Sequence, residues 1–524
     1  MSRFCALIVA LVLASSLPVP SALLAQPASP AQQGREEQPR SGPEASRRER
    51  ASEPTKLPPQ VTTRHSLELP GRILKFMATT GALTLTDPQG NPVAEYGFTS
   101  YALDGADPST RTVTFVINGG PGASSAYLHL LALGPWRLPL DDQRISPSAS
   151  PALVPNDETW LDFTDLVFID PPGTGYARVI GGDQVRERFY SVEGDIDGLA
   201  AFVMRWLKEK DRLQSPKAFV GESYGGFRGP LLAQKLQSDL GAGLSTVVLI
   251  SPVLDFGWFS QPGHSPWVHA TRLPSMAAAA LARRGSLSRE ALRDVEQYAS
   301  SEYLVDLMKG LQDATAVDRL SKRVSEFTGL DRDLVRRLAG RIEPGTFQRE
   351  FRRGSSEVVS AYDTDVRSAD PDPTAAFSRF EDPGLTGMTA PLTSAIVDHL
   401  SRALSYPVEG RRYELLNGDV NGAWRWGRGR GQPESLQEMR RALALDGKFR
   451  VLVAHGYTDL VTPYFASQLL LNQLPPLGPE PRVSLEVFEG GHMFYSRGAS
   501  RRAFREVAQR TYSEALRARN TEEP

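Results

Sequence analysis

Ser223 lies in Gly221-Glu222-Ser223-Tyr224-Gly225-Gly226, just after the apolar run Ala218-Phe219-Val220 and ahead of a helical stretch read from Pro230 to Leu240. A serine with glycines two positions away on each side, between a strand and a helix, sits on a sharp turn that projects its hydroxyl, and only small residues tolerate the crowding there. A serine hydroxyl is a weak nucleophile and needs a general base, itself oriented by a third group. His492 suits the base: the β-like run Val483 to Phe488 precedes it, and Gly490-Gly491 opens the loop that carries it. Asp459 suits the acid, in the loop after Val451-Leu452-Val453-Ala454. It would orient the imidazole and stabilise its protonated form. His455 is the competing base in that same loop, and Asp255, after the run Val247 to Ile250, is the competing acid. The chemistry of such a set is acyl transfer through an ester on Ser223.

The ester-forming step needs donors for the developing oxyanion. Asn118-Gly119-Gly120-Pro121-Gly122 follows the β-branched run Val113 to Ile117, where an early loop can bring a backbone N–H to the reacting carbonyl. Glycines permit that close approach. The expected donors are the amides of Gly120 and of Tyr224, the latter next to the nucleophile. The elements that must position these groups are legible as a rhythm. Runs at Val113 to Ile117, Leu166 to Asp170, Ala218 to Val220, Val247 to Ile250, Val451 to Ala454 and Val483 to Phe488 alternate with helical stretches such as Glu193 to Lys210. Strands apolar throughout, alternating with helices, indicate a mostly parallel central sheet with helices on both faces. The chain order Ser, Asp, His on such a sheet is that of the α/β-hydrolase fold.

The core is read as 61–255 and 447–520. It starts with a hairpin over Ala82 to Ala102 around the turn Pro88-Gln89-Gly90-Asn91-Pro92. Residues 256–446 break the rhythm with charged amphipathic helices, Ser288 to Met308 and Asp331 to Ile342, and no strand alternation; they are read as a mainly helical lid. Thr462-Pro463 reads as a cap residue and first-turn proline of a helix, and Arg502 to Arg517 as the closing helix.

With 524 residues, 40% apolar and 23% charged, the composition is that of a globular protein with a sizeable core. The formal net charge of −2 points to no polyanionic partner, so Trp424 to Gly431 reads as a lid loop rather than a nucleic-acid tract. The lone Cys5 leaves no disulfide or thiolate chemistry after processing. No His-Glu-x-x-His, Cys pair or phosphate-binding loop occurs, so no metal or cofactor is expected. Arg3, the uncharged run Phe4 to Leu17 and the small residues ending at Ala22 to Ala25 read as a signal peptide over 1–25. The run is shorter than the roughly 20 apolar residues of a membrane span. A secreted or periplasmic protein with no stable membrane insertion is expected. Residues 26–60, rich in Pro, Gln, Glu, Arg and Ser, read as a disordered linker.

Taken together, these motifs resemble the serine carboxypeptidase family. The resemblance rests on Asn118 to Gly122 followed by Ala123-Ser124-Ser125, on Gly134-Pro135, on Asp170-Pro171-Pro172-Gly173-Thr174-Gly175-Tyr176, on Gly221 to Gly226, on Asp459 and on Gly491-His492-Met493. The stretch Gly456 to Phe465 looks more like the bacterial branch than the plant or fungal one. The resemblance implies an exopeptidase releasing C-terminal amino acids from peptides with a free C-terminus. It also implies that Asn118, Gly119 and Glu222 receive the substrate's terminal carboxylate. Glu222 can donate only when protonated, and a carboxylate beside it raises its pKa. Two positions depart from the family: Ala123 replaces a common Cys, and Ala132 replaces a Glu thought to share a proton with the elbow Glu. The triad alone leaves an esterase or acyltransferase open, and the fold alone a non-catalytic binding protein.

Overall fold

The structure is a computed structural model that describes residues 56–520 apart from 141, 260–262, 377–378 and 428–430. The expected signal peptide, and the expected linker up to residue 55, lie outside the described residues; 56–60 lead as irregular chain into the first strand. Among the described residues, ten strands form one sheet. Nine lie along its path: β1 (Val61–Leu69), β2 (Arg72–Thr86), β3 (Pro92–Leu103), β4 (Val113–Ile117), β5 (Asp165–Asp170), β6 (Lys217–Glu222), β7 (Thr246–Ile250), β8 (Arg450–Gly456) and β9 (Val483–Phe488). They are ordered β1-β2-β3-β5-β4-β6-β7-β8-β9. The first three pair antiparallel, β3 meets β5 antiparallel, and every contact from β5 to β9 is parallel.

The central parallel strands read as nearly unbroken apolar runs because both faces are covered, whereas the edge strand β9, VSLEVF, is only partly buried. Successive residues point to opposite sides. Val116, Phe168, Val220, Val248 and Leu452 join one core with Trp160, Phe504 and Tyr512. Their neighbours Phe115, Val167, Phe219, Leu249 and Val453 join another with Phe202, Trp206 and Leu236. The helices on that second face include α1 (Val192–Glu209) and α2 (Tyr224–Asp239), with Leu436–Leu445 beside α2; the C-terminal helix α3 (Gly498–Asn520) packs on the first. This is the α/β-hydrolase fold.

Three local expectations are corrected. The hairpin read at Ala82 to Ala102 is the end of a longer meander; β1 escaped notice because its sequence, VTTRHSLEL, alternates exposed and partly covered residues with few large apolar ones. The helix read from Pro230 starts six residues earlier, at Tyr224, and carries Pro230 inside it. Its start is set by the turn at Ser223, not by the proline. The segment between β7 and β8 is mostly helical, with its own core around Leu273, Met276, Val324 and Phe347. It also holds a hairpin, Glu357–Val359 against Arg367–Ala369, which the search for strand alternation missed because each strand is three residues long. No helix among the described residues is long and apolar enough to cross a membrane.

Candidate active site

β6 ends at Glu222, and Ser223 turns the chain into α2 with φ 59° and ψ −120°. This backbone shape costs a non-glycine residue about 1–3 kcal/mol and persists only where the surroundings enforce it. Here the Ser223 N–H donates to Ile250 O at 2.9 Å. A Cβ on Gly221 would meet Gly225 O at 2.1 Å, and one on Gly225 would meet Ile117 O at 2.7 Å, so neither position accepts a side chain. The Ser223 side chain is only partly covered.

The expected acid and base come together. His492 Nδ1 lies 2.7 Å from Asp459 Oδ2. Asp459 is fully buried and its other oxygen accepts the amides of Val461 and Thr462 at 2.8 and 2.9 Å. The main chain of His492 is held on both sides: its N–H donates to Tyr362 O at 2.5 Å and its carbonyl accepts from Ser251 Oγ at 2.9 Å. Burial opposes protonation of the imidazole, but the Asp459 charge and its hydrogen bond outweigh burial and raise the His492 pKa above its usual value. That is the direction a base needs, because the protonated ring forms during attack. Nε2, the free edge, faces the elbow, 3.9 Å from Glu222 Oε1. Among the described residues no hydrogen bond joins Ser223 Oγ to Nε2; such contacts tighten when substrate arrives.

The competing residues are engaged elsewhere. His455 is buried, bonded through Nε2 to Ser467 Oγ at 2.8 Å, and burial lowers its pKa to about 4. Asp255 caps the turn Phe256–Trp258 by accepting from Gly257 N at 2.7 Å. Thr462 does not cap the following helix, Tyr464–Leu471, which has no side-chain cap. Its hydroxyl lies instead 2.7 Å from Asp459 Oδ2, 2.9 Å from Ser251 O and 3.0 Å from His492 Nδ1.

The loop Asn118–Gly122 lies against the elbow. A Cβ on Gly119 would sit 2.6 Å from Tyr224 N and 2.8 Å from Ser223 Cβ, which only glycine allows. Gly120 has φ +98°. Tyr224 is the first residue of α2, so its N–H has no acceptor within the helix and is free for an oxyanion. The loop is pinned from behind. Arg228 Nη1 donates to Asn118 O at 2.8 Å while Nε and Nη2 grip the Asp195 carboxylate at 2.7 and 3.1 Å. Both side chains are almost fully buried. Asp170 accepts the N–H and Oγ of Ser125 at 2.7 and 2.8 Å, and the insertion adds Asn417 N to Gly122 O at 2.8 Å and Leu415 O to Ser124 N at 2.9 Å. Arg228→Met would leave the Asp195 carboxylate buried without its cation. A loss of about 3–5 kcal/mol in denaturant unfolding is expected, and Asp195→Asn in the same chain should recover part of it.

Asn118 and Glu222 meet directly. Asn118 Nδ2 donates to Glu222 Oε2 at 2.9 Å, and Asn118 Oδ1 accepts from Leu128 N at 3.1 Å. Tyr495 Oη also donates to Glu222 Oε2. Burial raises the Glu222 pKa to about 7, against the lowering influence of His492, Tyr495 and Asn118. The carboxyl is thus held largely neutral below neutral pH.

The sequence reading named Ser223, Asp459, His492 and both glycine loops, but gave no place in the site to Arg228, Asp195, Tyr362, Thr462 or Tyr495. A lone arginine in the otherwise apolar and glycine-rich start of α2 was a readable signal for Arg228. Thr462, three residues after Asp459, and Tyr495, three after His492, were readable as local partners. Tyr362 carried no signal, since it acts through its carbonyl.

The family model for serine carboxypeptidases matches residues 74–257. A pheromone-processing carboxypeptidase of Chaetomium globosum is 34% identical over 159 residues, 29% of this chain and 22% of that protein. A pheromone-processing carboxypeptidase of Metarhizium acridum is 27% identical over 222 residues, 42% of this chain and 33% of that one. The chain therefore spans about a fifth to a third of the length of these curated relatives. Among solved structures, a proline iminopeptidase of Mycobacterium smegmatis aligns with 84% of this chain at 14% identity and TM-score 0.36. The matched residues 74–257 carry the Asn118–Gly122 loop, the Asn118–Glu222 pair and Ser223, and over them the chain is similar to the serine carboxypeptidase family.

Proposed function

We propose that the protein is a serine carboxypeptidase that removes C-terminal amino acids from peptides through an acyl-enzyme. Ser223 attacks the last peptide carbonyl while His492 Nε2 takes its proton. The amides of Gly120 and Tyr224 hold the oxyanion, each worth about 3 kcal/mol in the transition state. His492 then protonates the departing amino group, the C-terminal amino acid leaves, and water repeats the sequence on the ester. The observation that carries this reading is the bonded, buried pair Asn118–Glu222 beside the nucleophile. A neutral carboxyl there can donate to a carboxylate, whereas an ionised one repels it. The resemblance of Gly456 to Phe465 supports the bacterial branch of the family. The pattern of Arg3, Phe4 to Leu17 and Ala22 to Ala25 supports a secreted or periplasmic location.

The test compares an N-blocked dipeptide having a free C-terminus with an N-blocked amino acid methyl ester. Release of the free amino acid from the dipeptide is expected; ester turnover alone would favour an esterase or acyltransferase. The pH profile is specific. Glu222 donates only while protonated, so its hold on a carboxylate falls as pH rises through about 7. The kcat/KM for the dipeptide should therefore drop on the alkaline side of neutrality, and the ester should show no such limb. Glu222→Gln cannot ionise, so it should flatten that limb and keep ester turnover.

A further inference from the structure

Tyr495 Oη and Asn118 Nδ2 both donate to Glu222 Oε2. Asn118 cannot present its carbonyl there, since Oδ1 already accepts the amide of Leu128. Both lone pairs of Oε2 are taken, so a proton on this carboxyl has to sit on Oε1. Oε1 is the oxygen that faces His492 Nε2, at 3.9 Å. The proton of Glu222 is thus aimed toward the triad side of the pocket.

Tyr127, on the short helix Ala126–Leu128, adds a second observation. Its hydroxyl is buried and has no hydrogen-bond partner among the described residues. Such a group calls for a partner, which a bound ligand or an ordered water can supply. Tyr127 and Tyr495 lie in one packed cluster with Tyr362 against it, and Leu128, next to Tyr127, donates to Asn118; burial, Tyr362 and Glu222 all oppose ionisation of Tyr127. Tyr362 feels Asp459 and Glu222 in turn. The other titratable groups facing Glu222 are His492 and Asp459, while Arg228 is engaged by Asp195. At Ala132 the family's carboxyl donor is missing. The turn Phe494–Ser496, which packs on the π-helical turn His129–Leu133 holding Ala132, delivers Tyr495 to Glu222 instead.

We propose that Tyr495 and Tyr127 complete the receptor for the peptide's terminal carboxylate. Tyr495 is a positioning residue that fixes the Glu222 proton on Oε1. Tyr127 is a binding residue whose unpaired hydroxyl donates to the second carboxylate oxygen. This rests on the carboxypeptidase reading above.

The isosteric variants Tyr127→Phe and Tyr495→Phe test it, with fluorophosphonate titration of Ser223 counting folded sites. Tyr127→Phe should raise KM for the free-acid dipeptide about tenfold, with kcat and ester turnover within about twofold of wild type. The Tyr495 hydroxyl favours the ionised form of Glu222, so its loss should move the alkaline limb for the dipeptide to higher pH by about half a unit. The ester profile should not move. Equal effects on acid and ester, or no effect on the acid, would overturn the proposal. A wild-type enzyme that releases no amino acid from the dipeptide would instead overturn the carboxypeptidase reading on which it stands.

Discussion

Ser223→Ala is expected to lower kcat by about 10⁴- to 10⁶-fold and to abolish labelling by a fluorophosphonate probe. The size follows from what remains. The oxyanion donors and the carboxylate pair would still bind and polarise the peptide, but no ester could form and water would have to attack directly. The fold should survive, because the hydroxyl makes no hydrogen bond among the described residues and alanine also fits the tight elbow between Gly221 and Gly225. The melting temperature is the control. Covalent labelling of a well-folded Ser223→Ala protein would remove Ser223 as nucleophile and with it the mechanism proposed here.

Asp459→Asn is expected to cost about 10⁴-fold in kcat while leaving the fold intact. An asparagine can keep its carbonyl toward the amides of Val461 and Thr462, as Asp459 Oδ1 does now. Its NH₂ then faces His492 Nδ1, which has to accept rather than donate. The proton moves to Nε2, and the ring cannot take one from Ser223. Loss of the carboxylate charge also removes the influence that raises the His492 pKa. A base has to be neutral to act, so the acid limb of the residual activity should move to lower pH. Rate assays across pH, with proton NMR of the imidazole N–H, check both parts. Wild-type activity in this variant would exclude Asp459 as the orienting acid.

How far the sequence carried the reading depends on the kind of contact. Strands such as Val113–Ile117 and Thr246–Ile250 were legible because burial on both faces leaves a continuous apolar run. Ser223 and Asp459 were legible because each follows such a run at a glycine-marked or turn-forming loop, and His492 because it follows the β-like run Val483–Phe488 and Gly490-Gly491. Of the outer meander only the β2–β3 hairpin was legible, since β1 keeps one side open to solvent and shows no apolar run. The supports of the site were harder still. Arg228 binds the carbonyl of a residue 110 positions away, and Tyr362 O binds His492 N across 130 residues. Contacts that distant leave no periodicity in either segment, and a carbonyl acceptor leaves no preference for side-chain type.

The insertion between β7 and β8 touches the proposed catalytic machinery, through Tyr362 O beneath the His492 backbone and through Leu415 and Asn417 along the Asn118–Gly122 loop among other contacts. It is consequently not an interchangeable cassette. A graft that traded this segment for a relative's, to change which peptides are admitted, would also have to reproduce both seats at matching depth. Without them the imidazole and the glycine loop lose their anchorage, so substrate selection and turnover would be inherited, or lost, as one unit.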